Sequence, residues 1–238
     1  MRVEAVVIAA GEGRRMRPLS ERWPKAVLPI DGRPVIATLL REVAAAGIER
    51  ATVVVGEQGG QIESLLGDGA AFGVELVYAL QPRALGSADA LRVALAAGAR
   101  TPLIVAAADT LFTTGDIGRL AELMRSRAPA GAMTVRRFPP PGEDRPAARV
   151  EGDRIARVID DDPSSPLSAG PLWALGSELL PYLDGLPGPP FALATLFQRA
   201  LDDGLVIAAL SIGPTRDLSD PFDLVRENFD YLRGLSRP

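Results

Sequence analysis

VEAVVIAAGEGRRMRPLSERWPKAVLPIDG, from Val3 to Gly32, opens the chain and sets the terms on which the rest is understood. Val3 to Ala9 is an apolar run rich in β-branched residues, the length of a buried parallel strand. It passes straight into Ala10-Gly11-Glu12-Gly13-Arg14-Arg15-Met16, where small residues let backbone come close to a ligand. Amides exposed in such a turn form an anion cradle. Two arginines follow the glycines, and Trp23-Pro24-Lys25 brings a lysine back just before a second apolar run. Strand, glycine loop, paired arginine and returning lysine together predict a phosphate site.

Two common glycine-loop signatures are excluded. The dinucleotide fingerprint requires a third glycine in GxGxxG, where this chain has Met16. The nucleoside-triphosphatase loop requires GKS or GKT, and neither occurs. The stretch instead resembles the signature of nucleotidyltransferases that activate sugar 1-phosphates: AAG, any residue, G, any residue, R, an apolar residue, any residue, PL, then PK before an apolar run. Ala9, Ala10, Gly11, Gly13, Arg15, Met16, Pro18, Leu19, Pro24 and Lys25 fill those positions in order.

Composition bounds the chemistry. With 238 residues, 47% of them apolar, the chain can bury one large α/β core or two small ones. A formal charge of −4 with scattered arginines gives no nucleic-acid-binding surface. Zero cysteine and zero histidine exclude disulfides, thiolate and imidazole chemistry, and zinc sites built on them. Any reaction must run on Asp, Glu, Lys, Arg, hydroxyls and hard cations. The N-terminus enters a strand within two residues, and no apolar stretch is long enough to span a bilayer. The expectation is a soluble, cytoplasmic protein.

Along the chain, short strands and helices alternate. Asp31-Gly32 predicts a tight turn, residues 34–46 a helix and Ala51 to Val55 a strand. A short helix over Ile62 to Leu66 and a strand over Val74 to Leu80 follow, and Leu103 to Ala107 is another very apolar strand. This pattern predicts an α/β fold of Rossmann-like class, with a mixed, mostly parallel sheet flanked by helices. Beyond Ala128 the texture changes to strands, a proline-rich loop over Phe138 to Pro146 and a hairpin turning at Gly152-Asp153. With no Gly/Ser linker or repeat, a single domain is expected, with a nucleotide-binding half over about 1–127 and a sugar-facing half over about 128–238. A terminal helix from Pro221 offers Leu224, Phe229 and Leu232 as core contacts.

Three further segments carry chemistry. Gln81 heads a loop running to Gly86 and Ser87, with Ser87 a possible cap of the next helix. The residues alone allow either a polar surface loop or a base-reading one, since Gln81 offers a donor and an acceptor. Asp109 follows the strand ending at Ala107, at the carboxyl edge where α/β sheets bind ligands, although such an aspartate is also a common turn residue. Asp217 precedes Asp220-Pro221-Phe222-Asp223-Leu224 and Asn228. Asp220 and Asp223 suit the first helical turn.

The resemblance assigns roles to these positions. It implies nucleotide binding by Ala9, Ala10, Gly11, Gly13, Gln81, Gly86 and Ser87, with Gln81 and Gly86 matching the thymine- or uracil-binding version. It implies that Arg15 and Lys25 handle the reacting phosphates, and that Asp109 and Asp217 hold Mg²⁺. The implied reaction transfers a nucleoside monophosphate from UTP or dTTP to a sugar 1-phosphate, releasing pyrophosphate. The family usually carries Glu-Lys-Pro after the hairpin, where this chain has Ile159-Asp160-Asp161-Asp162-Pro163. The lysine is missing, so the acceptor site is assigned to Arg149, Arg157, Asp161 and Gly170, with Arg145 a further candidate. Gly170 lies in Ser168-Ala169-Gly170-Pro171-Leu172-Trp173, which matches the family's small-Gly-apolar-aromatic turn. A non-catalytic nucleotide- or sugar-nucleotide-binding module and a cytidylyltransferase of non-sugar phosphates are the alternatives.

Overall fold

The computed structural model describes residues 2–138, 141, 146–160 and 165–235. The chain runs through β1 (Glu4–Ala9), the two-residue strands β2 (Pro29–Ile30) and β3 (Arg33–Pro34), α1 (Val35–Ala45), β4 (Arg50–Val55) and α2 (Gly59–Leu66). It continues with β5 (Glu75–Leu80), α3 (Ser87–Ala96), β6 (Leu103–Ala107), the two-residue β7 (Thr110–Leu111) and α4 (Asp116–Arg127). Then come β8 (Gly131–Arg136), β9 (Ala147–Glu151), β10 (Arg154–Asp160) and β11 (Ser168–Leu175). The last elements are α5 (Leu193–Asp202), β12 (Ile207–Ser211), β13 (Arg216–Asp217) and α6 (Pro221–Leu235).

Among the described residues nine strands form one mixed sheet in the order β5-β4-β1-β6-β11-β8-β12-β10-β9. The block β5-β4-β1-β6 is parallel throughout, because helices α1, α2 and α3 return the chain to the same edge each time. β11 then runs antiparallel to both β6 and β8. Alternation sorts the side chains. Ala5 and Val7 of β1 join the core under α1, α2 and α4, whereas Val6 joins the opposite core under α3 and α5. Both layers are built mainly on large apolar side chains, with Leu40 and Leu120 on one side and Leu91 and Phe197 on the other. Truncating any of these to Ala costs about 2–5 kcal/mol.

Strand order reverses between β1 and β6, and this is where an open α/β sheet makes a ligand crevice at its carboxyl edge. A third, smaller core of Met16, Leu28, Ile30, Val35 and Leu218 lies beside that edge. It fixes the irregular chain between β1 and α1, which contains three short 3-10 turns.

The predicted turn at Asp31-Gly32 joins β2 to β3, with both residues at positive φ (50° and 71°). A side chain on Gly32 would also strike the Tyr231 ring of α6. The terminal helix begins as expected. Asp220 Oδ1 accepts from Phe222 N, while Asp223 Oδ2 accepts from Ser219 N and Asp220 N, a reciprocal cap with Pro221 at the first helical position.

The expected core contacts of that helix need correction. Leu224 packs against the third core, but Phe229 and Leu232 are exposed (52% and 53%), together with Phe222 and Val225. The helix docks through its polar residues instead. Asn228 donates to Pro29 O and accepts from Gly32 N, and Glu227 accepts from Arg216. Those bonds set the rotation of α6 and turn its apolar stripe outward.

Candidate active site

A cleft of ≈ 390 Å³ opens over the carboxyl ends of β1, β4 and β5. Ala9, Ala10 and Gly11 form one wall, the Gly56–Gly59 loop a second, and Gln81 to Ala84 a third. Gly56 comes within 3.3 Å of Ala10 O at the position its Cβ would take, so the two loops meet backbone to backbone. Gln58 and Gln61, at the start of α2, reach across to the carbonyls of Ser20, Glu21 and Arg22. They tie the arginine-rich segment down over the cleft. The Ser20 hydroxyl is buried beside the cleft and has no hydrogen-bond partner among the described residues.

The arginines divide their duties. Arg14 hydrogen-bonds Glu12, holding that carboxyl below its ordinary pKa range. Arg17 and Arg83 line the cleft, where Glu12, Glu21 and Glu57 also stand. Arg15 is exposed on the 3-10 turn Arg14–Met16, outside the cleft lining, while its neighbour Met16 is fully buried as the turn's anchor.

Lys25 returns beneath the glycine loop. Gly13 has φ +60°, and a Cβ there would lie 2.8 Å from Lys25 Cγ. The glycine therefore makes room for the lysine stem as well as taking the left-handed turn. The stem carries Nζ to Asp109 Oδ2 at 2.5 Å, a pair in which Lys25 is 15% and Asp109 34% exposed.

Asp109 and Asp217 are neighbours through a ladder that local sequence does not announce. β7 pairs with β13, Asp217 stands opposite Thr110, and Leu218 N donates to Asp109 O at 3.0 Å. Each carboxylate meets a cation, Asp109 from Lys25 and Asp217 from Arg136 at 3.3 Å. Arg136 is only 3% exposed and also donates to the Thr215 hydroxyl. Sequence reasoning missed this arginine, whose partner is 81 residues away. Among the described residues no group of three or more His, Cys, Asp or Glu is placed to hold a metal. The two aspartates are a hard-oxygen donor set of the size Mg²⁺ accepts when phosphate oxygens and water complete its shell. They fit that ion.

In the Gln81 loop the expected cap is corrected. Gly86, at φ +110°, is the residue preceding α3, and Ser87 is the first helical residue with no capping bond. The Ser87 hydroxyl instead accepts from Leu193 N at 2.9 Å. A Cβ on Gly86 would collide with Phe191 O at 2.3 Å, because the segment before α5 lies directly against this turn. Gln81 itself is 3% exposed, with its amide nitrogen donating to Asp89 Oδ2 at 2.7 Å and to Gly86 O at 3.3 Å.

The residues assigned to the acceptor lie elsewhere. Arg149 and Arg157 are register partners across the β9–β10 hairpin and both are exposed. Gly170 is buried in β11 against Thr134, with no room for a Cβ beside Thr134 Oγ1. Asp161, Asp162 and Arg145 fall outside the described residues, as does the side chain of Asp160.

Comparison with known proteins gives a consistent likeness. A family model described as "Nucleotidyl transferase" matches residues 4–145. Over 98% of its length the chain is 28% identical to a mannose-1-phosphate guanylyltransferase of Mycobacterium tuberculosis, covering 66% of that protein. Over 70% of its length it is 29% identical to a glucose-1-phosphate thymidylyltransferase of Streptomyces antibioticus, covering 46% of that one. The chain thus spans between about half and two thirds of these curated relatives. A UDP-glucose pyrophosphorylase structure from Acinetobacter baumanii superposes with TM-score 0.83 at 21% identity, covering 100% of this chain and 95% of that one. At that identity it is the fold that is shared. Among the described residues no helix is long and apolar enough to cross a membrane.

Proposed function

The chain belongs to the nucleotidyl transferase family, and from that premise we propose that it transfers a nucleoside monophosphate from a pyrimidine triphosphate, UTP or dTTP, to a sugar 1-phosphate. The observation that carries this reading is the passage of Lys25 under Gly13 to Asp109, beside a cleft walled by Ala9, Ala10 and Gly11.

A sugar 1-phosphate is already an anionic nucleophile, so the chain needs no base and its lack of histidine is no handicap. One phosphate oxygen of the acceptor attacks the α-phosphorus, the α–β phosphoanhydride bond breaks, and pyrophosphate leaves with the electron pair. The protein's work is to align two anions and offset their repulsion. Backbone at Ala10 and Gly11, with the cleft arginine Arg17, holds the triphosphate, and Arg15, exposed on the adjoining turn, is assigned to its phosphates from outside the cleft lining. Lys25 offsets charge near the α-phosphate. Gln81, with Gly86 behind it, reads the base. Asp109 and Asp217 would hold Mg²⁺, which when bound supplies Lewis-acid charge to the phosphates. Arg149 and Arg157 supply cations on the acceptor side, where the family's lysine is missing.

Incubation with UTP or dTTP, Mg²⁺ and a panel of sugar 1-phosphates tests the proposal. Pyrophosphate release dependent on both substrates is the expected result. The aspartate run in place of Glu-Lys-Pro is the observation that favours the second reading, a binding module without turnover. Tight nucleotide binding with no pyrophosphate from any acceptor selects that alternative.

A further inference from the structure

Gln81 carries an amide whose two ends do opposite things, one donating and the other accepting. Free to rotate, it would serve a base edge of either polarity. It is not free. Its nitrogen lies 2.7 Å from Asp89 Oδ2 and 3.3 Å from Gly86 O, and a carboxylate and a carbonyl can only accept. Turning the amide over would set its oxygen against both acceptors. The bond to Asp89 is charge-assisted and therefore the stronger of the two.

Asp89 is well placed for this task. It sits in the first turn of α3, two residues after Ser87. The turn that leads into α3 is held from behind by Phe191, whose N–H donates to Leu85 O and whose carbonyl accepts from Ala88 N. Ser87 adds the bond from Leu193 N. Gln81 is fixed at its other end, since its backbone N–H donates to Val55 O at 2.9 Å, and the residue is among those lining the cleft. Two rigid elements thus hold the amide between them, and the end it can offer to a ligand is its carbonyl oxygen.

We propose that Asp89 is a specificity-determining positioning residue, locking Gln81 as a hydrogen-bond acceptor so that the cleft selects bases with a ring N–H and rejects those with a bare ring nitrogen. Uracil and thymine carry N3–H and satisfy the oxygen. Cytosine presents N3 as an acceptor, and two acceptors then face each other in a partly dry site. The same lock leaves guanine, with its N1–H, to be excluded by size and not by Gln81. This inference rests on the nucleotidyl-transfer reading of the cleft, and it adds the residue and the polarity that choose among bases.

The test is equilibrium binding of UTP and of CTP to the full chain by titration calorimetry, for wild type, Asp89→Asn and Asp89→Ala. Asparagine can present an N–H to the Gln81 oxygen, so the amide can turn over. Alanine keeps the helix and removes the charge-assisted bond, which covers any disturbance by the Asn side chain. Wild type should favour UTP, and the UTP:CTP affinity ratio should fall roughly tenfold or more in both variants, as expected for a hydrogen bond to a charged group. Thermal melting checks the fold, and a purely structural role of Asp89 would lower affinity for both nucleotides alike. An unchanged ratio in the folded variants overturns the role of Asp89 while leaving the cleft a nucleotide site. No binding of either triphosphate to wild type overturns the nucleotidyl-transfer reading itself, and this inference with it.

Discussion

Lys25 and Asp109 lie 84 residues apart in sequence, yet Lys25 Nζ stands 2.5 Å from Asp109 Oδ2, on a stem that runs where a side chain of residue 13 would be. The contact joins the glycine loop to the carboxyl end of β6 and makes one site of two strands. Replacing Lys25 with Ala should lower turnover about 100-fold or more, the range for loss of a transition-state donor. Gly13→Ala should reproduce much of that loss with Lys25 intact, since the new methyl meets Lys25 Cγ and the left-handed φ adds about 1–2 kcal/mol of strain. Steady-state rates and melting curves for both variants check this. Near-wild-type turnover in either one removes the loop from the reaction.

The paired aspartates predict metal dependence. Chelation should abolish turnover and Mg²⁺ should restore it, with no effect on the melting temperature of the nucleotide-free chain. Asp217→Asn should weaken metal-dependent turnover well beyond its effect on folding. A nucleotide-bound structure with the cation on Asp220 or Asp223 would show that the closing segment is misassigned. Their carboxylates are already engaged in capping α6, which argues against it.

Arg136 provides a test that needs no substrate. It is buried beside Asp217, and removing one partner of a largely buried pair strands the other. Arg136→Met should cost roughly 2–3 kcal/mol of stability, a figure discounted for the partial exposure of Asp217. The same change removes positive charge next to the proposed metal ligand, so Mn²⁺ binding followed by electron paramagnetic resonance should tighten. Weaker Mn²⁺ binding in a folded variant would mean that Arg136 orients Asp217 for the metal instead of competing with it.

How much was legible before the structure follows from where each signal resides. The glycine loop and Lys25 could be read because their geometry is local: a strand end, a turn and a lysine within one segment. The parallel block was legible from runs such as Val53 to Val55, apolar on both faces. Arg136 was not, because nothing near it in sequence marks a residue that reaches Asp217 through two strands of the fold. Nor was Phe191, whose backbone explains the glycine at position 86. The outward turn of Phe229 and Leu232 escaped periodicity for a related reason. Hydrogen bonds of Asn228 and the Arg216–Glu227 pair set the rotation of α6, and hydrophobic spacing alone carries no record of them.

The Asp31–Arg216 pair makes stability depend on acid. Hydrogen bonding to Arg216 holds the Asp31 carboxyl below its ordinary pKa, so the folded form binds that proton less readily than the unfolded chain. The contribution is therefore fully present above the unfolded pKa and disappears as pH falls through the lower folded value. Asp31→Asn should cost about 0.5–1 kcal/mol at neutral pH, a small figure because the pair is about half exposed. The gap between variant and wild type should close below about pH 4. A gap that stays constant down to pH 3 would assign the effect to the turn geometry at Asp31, which has positive φ.

The acceptor side gives the last prediction. The family's lysine is absent, and in the sequence the run Asp160-Asp161-Asp162 stands in place of the family's Glu-Lys-Pro. With that lysine missing, the acceptor phosphate of the proposed reaction needs a cation from another element. Arg149 and Arg157 stand directly opposite each other across β9–β10, so two guanidiniums share one face of one hairpin. Side chains so placed reach each other's neighbourhood easily, and a phosphate between them would meet donors from both strands. Arg157→Ala should raise the KM for the sugar phosphate about tenfold, the scale of one charge-assisted hydrogen bond, and leave the KM for the triphosphate unchanged. Because the arginine is exposed, stability should stay within about 0.5 kcal/mol of wild type. That combination separates substrate contact from hairpin support, since a residue that merely braced the strands would move the melting temperature first. Efficient use of glucose 1-phosphate by a chain lacking both arginines would clear this hairpin of any part in the reaction.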